Sequence, residues 1–105
     1  MNILNCTPHP INFEASNGDV TEFPYSGIVP RVSMEYTEMD VDGILFSRPK
    51  YGEVIGLPKY EEGTYLIVSR MLATACNRSD LIVPCKFKRD HNGAIQSCKS
   101  FQVMS

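Results

Sequence analysis

Apolar residues in the first two thirds of the chain come in short runs that are broken by Pro, Gly, Asn and Asp. An amphipathic helix needs apolar residues spaced three and four apart, and that spacing is almost absent before residue 69. Short apolar runs bounded by turn residues are typical of β-strands. The sequence therefore predicts a fold built mainly from strands and turns.

Recognisable turns join several of the strand candidates. The Asn-Gly pair at residues 17–18 predicts a β-hairpin, because both residue types tolerate positive φ. Residues 31–38 alternate apolar and polar side chains, which predicts a strand with one buried face. The acidic segment 40–43 predicts a turn, and residues 44–46 and 54–57 are expected to form two further short strands.

A strand–helix–strand unit is predicted in the second half of the chain. Residues 64–68 form a continuous apolar run of the kind found in buried strands. Ser69 is a good N-cap residue, so we expect a short helix over about residues 69–77. Residues 81–84 form a second buried strand, and parallel pairing through a right-handed crossover is the natural geometry for such a unit.

The C-terminal part predicts a second hairpin, since an Asn-Gly pair at residues 92–93 separates two strand-like runs. A chain of 105 residues with 43% hydrophobic and 21% charged residues has the composition of an ordinary globular domain with one core. We therefore expect a single α+β domain over residues 1–105. It would contain a small mixed, mostly antiparallel β-sheet, one short helix and a C-terminal β-hairpin.

Charge and hydropathy exclude some classes of partner. The formal net charge is −2, whereas proteins that bind duplex nucleic acid normally carry a basic excess. The one basic run, residues 86–89, ends at Asp90 and is typical of a solvated strand face. No apolar run reaches the length of about 20 residues that crosses a bilayer, and the first residues do not resemble a signal peptide. We expect a cytoplasmic protein that binds neither duplex nucleic acid nor a membrane.

Motifs for cofactors, metals and familiar enzymes are missing. The four cysteines, Cys6, Cys76, Cys85 and Cys98, are scattered and include no C-x-x-C pair of the kind that binds metals. The sequence contains no G-x-G-x-x-G, Walker, H-E-x-x-H or G-x-S-x-G motif. We therefore expect no cofactor and no metal site. Whether the protein is an enzyme stays open, with a non-enzymatic role favoured.

The first candidate ligand-binding pair is Ser69 with Arg70, at the predicted junction between strand and helix. Free N–H groups at a helix start and a guanidinium beside them suit phosphate or carboxylate. The alternative is an N-cap serine followed by a surface arginine.

Two further segments supply the other candidates. Arg78 and Asp80 precede the returning strand and suit a phosphate or a sugar hydroxyl, or alternatively form a loop salt bridge. Thr7 and His9 lie in a Thr-Pro-His-Pro corner that the two prolines hold rigid. These two residues would line a ligand pocket, and His9 is also a possible general acid or base. The alternative is a purely structural corner.

Both ends of the chain carry a pattern that resembles a group of small phage and prophage proteins of unassigned function. The pattern begins with Leu4-x-x-Thr7-Pro8-His9-Pro10-Ile11. It continues with Gly63-Thr64-Tyr65-x-Ile67-Val68-Ser69-x-x-x-Ala73 and Arg78-x-Asp80-Leu81-x-x-Pro84. It ends with Arg89-Asp90-x-x-Gly93-x-Ile95-x-x-Cys98-x-Ser100-Phe101. Residues 20–60 match no part of it. The resemblance implies a phage origin, and so a location in the host cytoplasm, but no mechanism.

Phage genomes encode small accessory proteins that bind a signalling nucleotide without breaking it, and by analogy this class is the leading hypothesis. The chain would be a non-enzymatic, homo-oligomeric binder that sequesters a nucleotide-derived immune signal of the host. One alternative is a protein–protein inhibitor of a host defence protein, acting through exposed strand edges. Others are a small nucleotide hydrolase that uses His9 or Cys85, and a virion or morphogenesis protein.

Overall fold

The computed structural model describes residues 1–103, so the last two residues of the predicted domain lie outside the described part. This part is mostly strand with one short helix, which confirms the coarse prediction of a strand-rich α+β fold. The elements are β1 (Asn2–Asn5), β2 (Ile11–Glu14), β3 (Val20–Phe23), β4 (Arg31–Val41), β5 (Ile44–Ile55), β6 (Thr64–Ile67), α1 (Arg70–Ala75), β7 (Leu81–Arg89) and β8 (Ile95–Val103).

Six of the strands form one mixed sheet in the order β1-β6-β7-β8-β2-β3, and β4 pairs with β5 in a separate two-stranded ribbon. The pairs β1–β6, β6–β7 and β2–β8 are parallel, whereas β7–β8 and β2–β3 are antiparallel. The prediction of a mixed sheet is confirmed, but three of its five pairings are parallel, so it is less antiparallel than we expected. The extra parallel pairs join strands that are distant in sequence, and local turn signals do not report such pairs.

The strand–helix–strand unit and both hairpins form where the sequence predicts them. The helix α1 lies inside the predicted range 69–77, and the Ser69 hydroxyl accepts a hydrogen bond from the Leu72 backbone N–H at 3.3 Å. The turns of the β2–β3 and β7–β8 hairpins contain Gly18 and Gly93, whose φ angles of 91° and 85° suit glycine.

The six-stranded sheet is rolled, so that its two outer strands approach each other. The backbone carbonyl of Asn5, at the end of β1, accepts hydrogen bonds from the Ser26 backbone N–H at 3.2 Å and from the Ser26 hydroxyl at 2.6 Å. The Asn5 side-chain amide donates to the Phe23 carbonyl, at the end of β3, at 3.0 Å. Two strands at opposite ends of the strand order are therefore joined through a single buried asparagine.

One face of the sheet is covered by α1. The buried residues on this face are Leu66, Val68, Leu81 and Val83 from the sheet, Leu72 and Ala73 from the helix, and Cys6. Val32 and Val54, at the base of the ribbon, pack against the same cluster. The base of the ribbon is thus anchored in the core.

The opposite face carries a smaller cluster that includes aromatic side chains. Ile67 lies between Leu66 and Val68 in an extended segment, so its side chain points away from theirs. Phe101 stacks on Phe13 with ring centroids 5.4 Å apart and meets Phe23 edge to face at 5.9 Å. Both faces of the central strands are therefore covered, as a rolled sheet requires.

The ribbon formed by β4 and β5 departs most from the predictions. Segments 44–46 and 54–57, expected to be separate short strands, belong largely to one strand of 12 residues. The prediction that one face of residues 31–38 is buried is wrong, because Val32 is the only residue of that range that is half-buried. The predicted turn at 40–43 is confirmed, with positive φ at Asp42 (52°) and Gly43 (82°).

The ribbon is exposed because it extends away from the sheet instead of packing on it. The radius of gyration is 16.5 Å, whereas a compact chain of this length would have about 13 Å. The longest dimension is 54 Å and the shortest is 23 Å. A strand that projects into solvent has no core to face, whatever its alternation of apolar and polar residues suggests.

Candidate functional site

The Thr-Pro-His-Pro corner is held from inside by the side chain of Asn5, which is only 2% exposed. The Asn5 amide nitrogen donates to the His9 carbonyl at 2.7 Å, and its oxygen accepts from the Thr7 backbone N–H at 3.0 Å. The Thr7 hydroxyl lies 2.7 Å from the Asn5 amide oxygen and 3.0 Å from the His9 carbonyl. Thr7 therefore fixes the corner, while His9 is exposed.

A groove of about 460 Å³ runs between this corner and the β7–β8 hairpin. Pro84, Phe87 and Ile95 contribute apolar lining, and His9, Asn12 and Gln96 contribute polar groups. The Asn12 side-chain amide donates to the Gln96 carbonyl at 3.5 Å, between the paired strands β2 and β8. Of the residues that the structure describes, no lysine or arginine lines it. The groove therefore suits an uncharged, flat group with hydrogen-bonding edges.

Cys98, which also lines this groove, is buried. Burial raises the pKa of the Cys98 thiol above its ordinary value, and the nearby Cys85 raises it further. A cysteine acts as a nucleophile through its thiolate. Cys98 is therefore a protonated, inert part of the wall at neutral pH.

Ser69 and Arg70 lie at the same edge of the sheet as the corner. Strands β1 and β6 are parallel neighbours, and the Cys6 backbone N–H donates to the Ile67 carbonyl at 2.9 Å. The Ser69 hydroxyl is engaged as the N-cap of α1, and the Arg70 guanidinium donates to the Gln102 side-chain oxygen at 3.1 Å. Since α1 has only six residues, the positive potential at its start is weak.

Arg78 and Asp80 lie at the other end of β6. The Asp80 carbonyl accepts from the Leu66 backbone N–H, so this residue lies beside β6, whereas Ser69 comes after that strand ends. Arg78 donates to both Asp80 oxygens, at 2.5 and 3.0 Å, and to the Pro58 carbonyl at 2.9 Å. The hydrogen bond to Asp80 raises the pKa of Arg78, although burial opposes it. The pair ties a loop to the sheet, and both oxygens of the Asp80 carboxylate already accept a hydrogen bond from Arg78.

The structure therefore brings the six predicted site residues to different places. Thr7 and His9 share the corner, Ser69 and Arg70 begin the helix at the same edge, and the Arg78–Asp80 pair is remote from both. Of the six, only His9 lines the groove.

Sequence reasoning missed the residues that shape the groove, because they come from three distant segments. Asn5 carried a local signal, since an asparagine two residues before Thr7 is suited to an Asx turn. Phe87, Asn12 and Gln96 carried none, because their proximity depends on the β7–β8 and β2–β8 pairings.

In residues 1–103, no group of three or more His, Cys, Asp or Glu side chains is placed to hold a metal ion. No helix among these residues has the length and apolar character needed to cross a membrane. Comparison with protein-family models, with curated proteins and with solved structures gives no match.

Proposed function

We propose that this protein is a non-enzymatic binding protein that holds a nucleotide-derived ligand by its base in the groove beside His9. The observation that carries the proposal is the groove of about 460 Å³, which has apolar walls and polar groups on both sides. Sites for small molecules usually enclose about 300–1,000 Å³ and combine apolar walls with a few polar groups.

The residues of the groove suit a nucleobase. Phe87, which is 46% exposed, offers a ring face on which a base stacks. Asn12, Gln96 and His9 offer donors and acceptors for the edges of the base. The prolines and Asn5 keep the corner rigid, so little freedom is lost when a ligand binds. Because no lysine or arginine among the described residues lines the groove, the phosphates of such a ligand would extend toward solvent.

Binding without turnover is the chemistry that these residues favour. The buried Cys98 thiol is protonated and is not a nucleophile. Cys85, the cysteine named for the hydrolase alternative, does not line the groove with His9. The resemblance to small phage proteins implies a phage origin, and by analogy with phage accessory proteins the wider role is to remove a nucleotide-derived immune signal from the host cytoplasm.

The test is isothermal titration of the folded protein with cyclic nucleotides, ADP-ribose derivatives and free nucleosides. We expect at least one of these compounds to bind. Phe87→Ala should weaken that binding about fivefold or more, because stacking of a base on an aromatic ring is worth about 1–3 kcal/mol. Phe46→Ala is the matched control, because Phe46 is similarly exposed but lies on the ribbon, outside the groove.

Failure of every compound to bind the folded protein would remove the proposal, as would equal losses in the two variants. The bound compound should be recovered unchanged after heat denaturation, as judged by mass spectrometry. Recovery of a cleaved product would instead favour the hydrolase.

A further inference from the structure

The outer part of the ribbon carries an apolar patch that no other part of the described chain covers. Met39 lies opposite Phe46, and Val41 lies opposite Ile44. Alternate residues of a strand share a face, so these four side chains form one continuous surface, here named the tip patch. Each of the four is between 43% and 62% exposed. A two-stranded hairpin is only marginally stable by itself in water, so this surface calls for a partner.

The exposed area of the chain indicates how large that partner surface is. The accessible surface is 7427 Å², whereas a compact monomer of this mass would expose about 5,900 Å². The excess is about 1,500 Å², and an obligate homodimer buries about 1,000–2,500 Å² from each chain. Burial of this excess between two chains would leave each chain with the exposed area of a compact protein of the same mass.

We infer that the ribbon of β4 and β5 is the surface through which two copies of this chain assemble. A second copy is present wherever the chain folds, and no other partner meets that condition. An interface between identical chains must also be self-complementary.

The charges nearest the tip patch allow such a self-complementary pairing. Glu38 and Asp40 alternate with the patch residues of β4, so both lie on the opposite face of the ribbon. Arg48 lies on the patch face at the inner end of the patch, and Asp42 lies in the turn at its outer end. Two tip patches that pack with their ribbons running in opposite directions bring Arg48 of each beside Asp42 of the other. Ribbons running in the same direction would place like charges together.

The experiment is to measure the mass of the full chain in solution by light scattering and by sedimentation, from low to high micromolar concentration. We expect a species of twice 11.8 kDa. The double variant I44S/F46S removes half of the tip patch and should weaken the dimer about 100-fold or more. V20S/V103S, which changes two exposed valines outside the ribbon, is the matched control and should remain dimeric.

A charge reversal provides a second measurement that leaves the apolar surface intact. Arg48→Glu places a carboxylate beside Asp42 of the second copy and should weaken the dimer about tenfold. Lys59→Glu reverses an exposed charge in the loop after the ribbon and should have no effect.

Three outcomes would overturn the assignment: a monomeric wild type throughout the range, a dimer in I44S/F46S as strong as in V20S/V103S, or a monomer that binds a different protein through the tip patch. The result is independent of the groove, because one chain supplies the whole groove lining. I44S/F46S should still bind the ligand of the groove, and Phe87→Ala should still form the dimer.

Discussion

The rolled sheet and the ribbon are both made of strands, yet they differ in what covers them. In the sheet, strands of only four residues, such as β6, reach complete burial at Ile67. The ribbon has the two longest strands, but only Val32, Tyr51 and Val54 are even half-buried. Hydrogen-bonded pairing fixes the backbone in both regions. The two regions differ in whether other side chains pack on the faces of the strands. The stability of a strand therefore depends more on whether its face is covered than on its length.

Polar contacts show the same difference. In the sheet, the buried Asn5 side chain bonds to backbone groups of three other residues and joins the two outer strands. In the ribbon, the hydrogen bond from Ser47 to Glu38 is exposed. A buried polar group is costly to leave without a partner, while an exposed one turns to water. The two regions should therefore respond differently to similar substitutions.

The largest predicted effect is that of Asn5→Ala in the sheet. The change removes the hydrogen bonds of the Asn5 side chain with two backbone carbonyls, one backbone N–H and the Thr7 hydroxyl. Each such loss is worth about 1–3 kcal/mol, so we expect the free energy of unfolding to fall by about 4 kcal/mol. Urea denaturation of both proteins measures this difference.

The matched control is Asn12→Ala, which removes an asparagine whose side chain makes one long hydrogen bond of 3.5 Å. Its loss should stay below about 0.5 kcal/mol. If Asn5→Ala cost no more than this control, the claim that one asparagine holds the rolled sheet together would be wrong.

A smaller effect is expected from one chemical change made in both regions. Leu72 on α1 is 2% exposed, whereas Leu45 on the ribbon is 63% exposed. Leu72→Ala should lower the free energy of unfolding by about 3 kcal/mol, because it removes buried methyl groups and leaves a cavity. Leu45→Ala should change it by less than about 0.5 kcal/mol at a concentration where the chain is monomeric. Equal losses would show that the ribbon packs on its own chain.

The parts of the sheet that the sequence predicts correctly are those with a local cause. The hairpins follow from Asn-Gly pairs, the helix start follows from Ser69, and the strands around the helix follow from two apolar runs. In each case the residues that cause the structure lie within a few positions of it.

The features that the sequence does not predict depend on long-range pairing. β1 joins β6, and β2 joins β8, across most of the chain, and these pairings place His9 beside Phe87 in the groove. The exposure of the ribbon is a second example, because alternation in residues 31–38 is compatible with packing on this chain or on another one. The pattern reports a face that needs covering but does not say what covers it.

The smallest predicted effect uses the buried thiols, which occur in the sheet and not in the ribbon. Burial raises the pKa of Cys98 above its ordinary value of 9.0. Well below pH 9.0 the thiol is protonated in both the folded and the unfolded chain. As the pH rises through 9.0 the thiol of the unfolded chain loses its proton first, so folding becomes less favourable. The free energy of unfolding of the wild type should therefore fall more steeply between neutral pH and about pH 10 than that of Cys98→Ala. Denaturant titrations across this range measure how the free energy of unfolding of each protein changes with pH. A loss of stability that the substitution causes equally at every pH does not affect the comparison of the two slopes. Parallel curves would mean that the thiol is as well hydrated in the folded chain as in the unfolded one, and that this part of the sheet is as open to water as the ribbon.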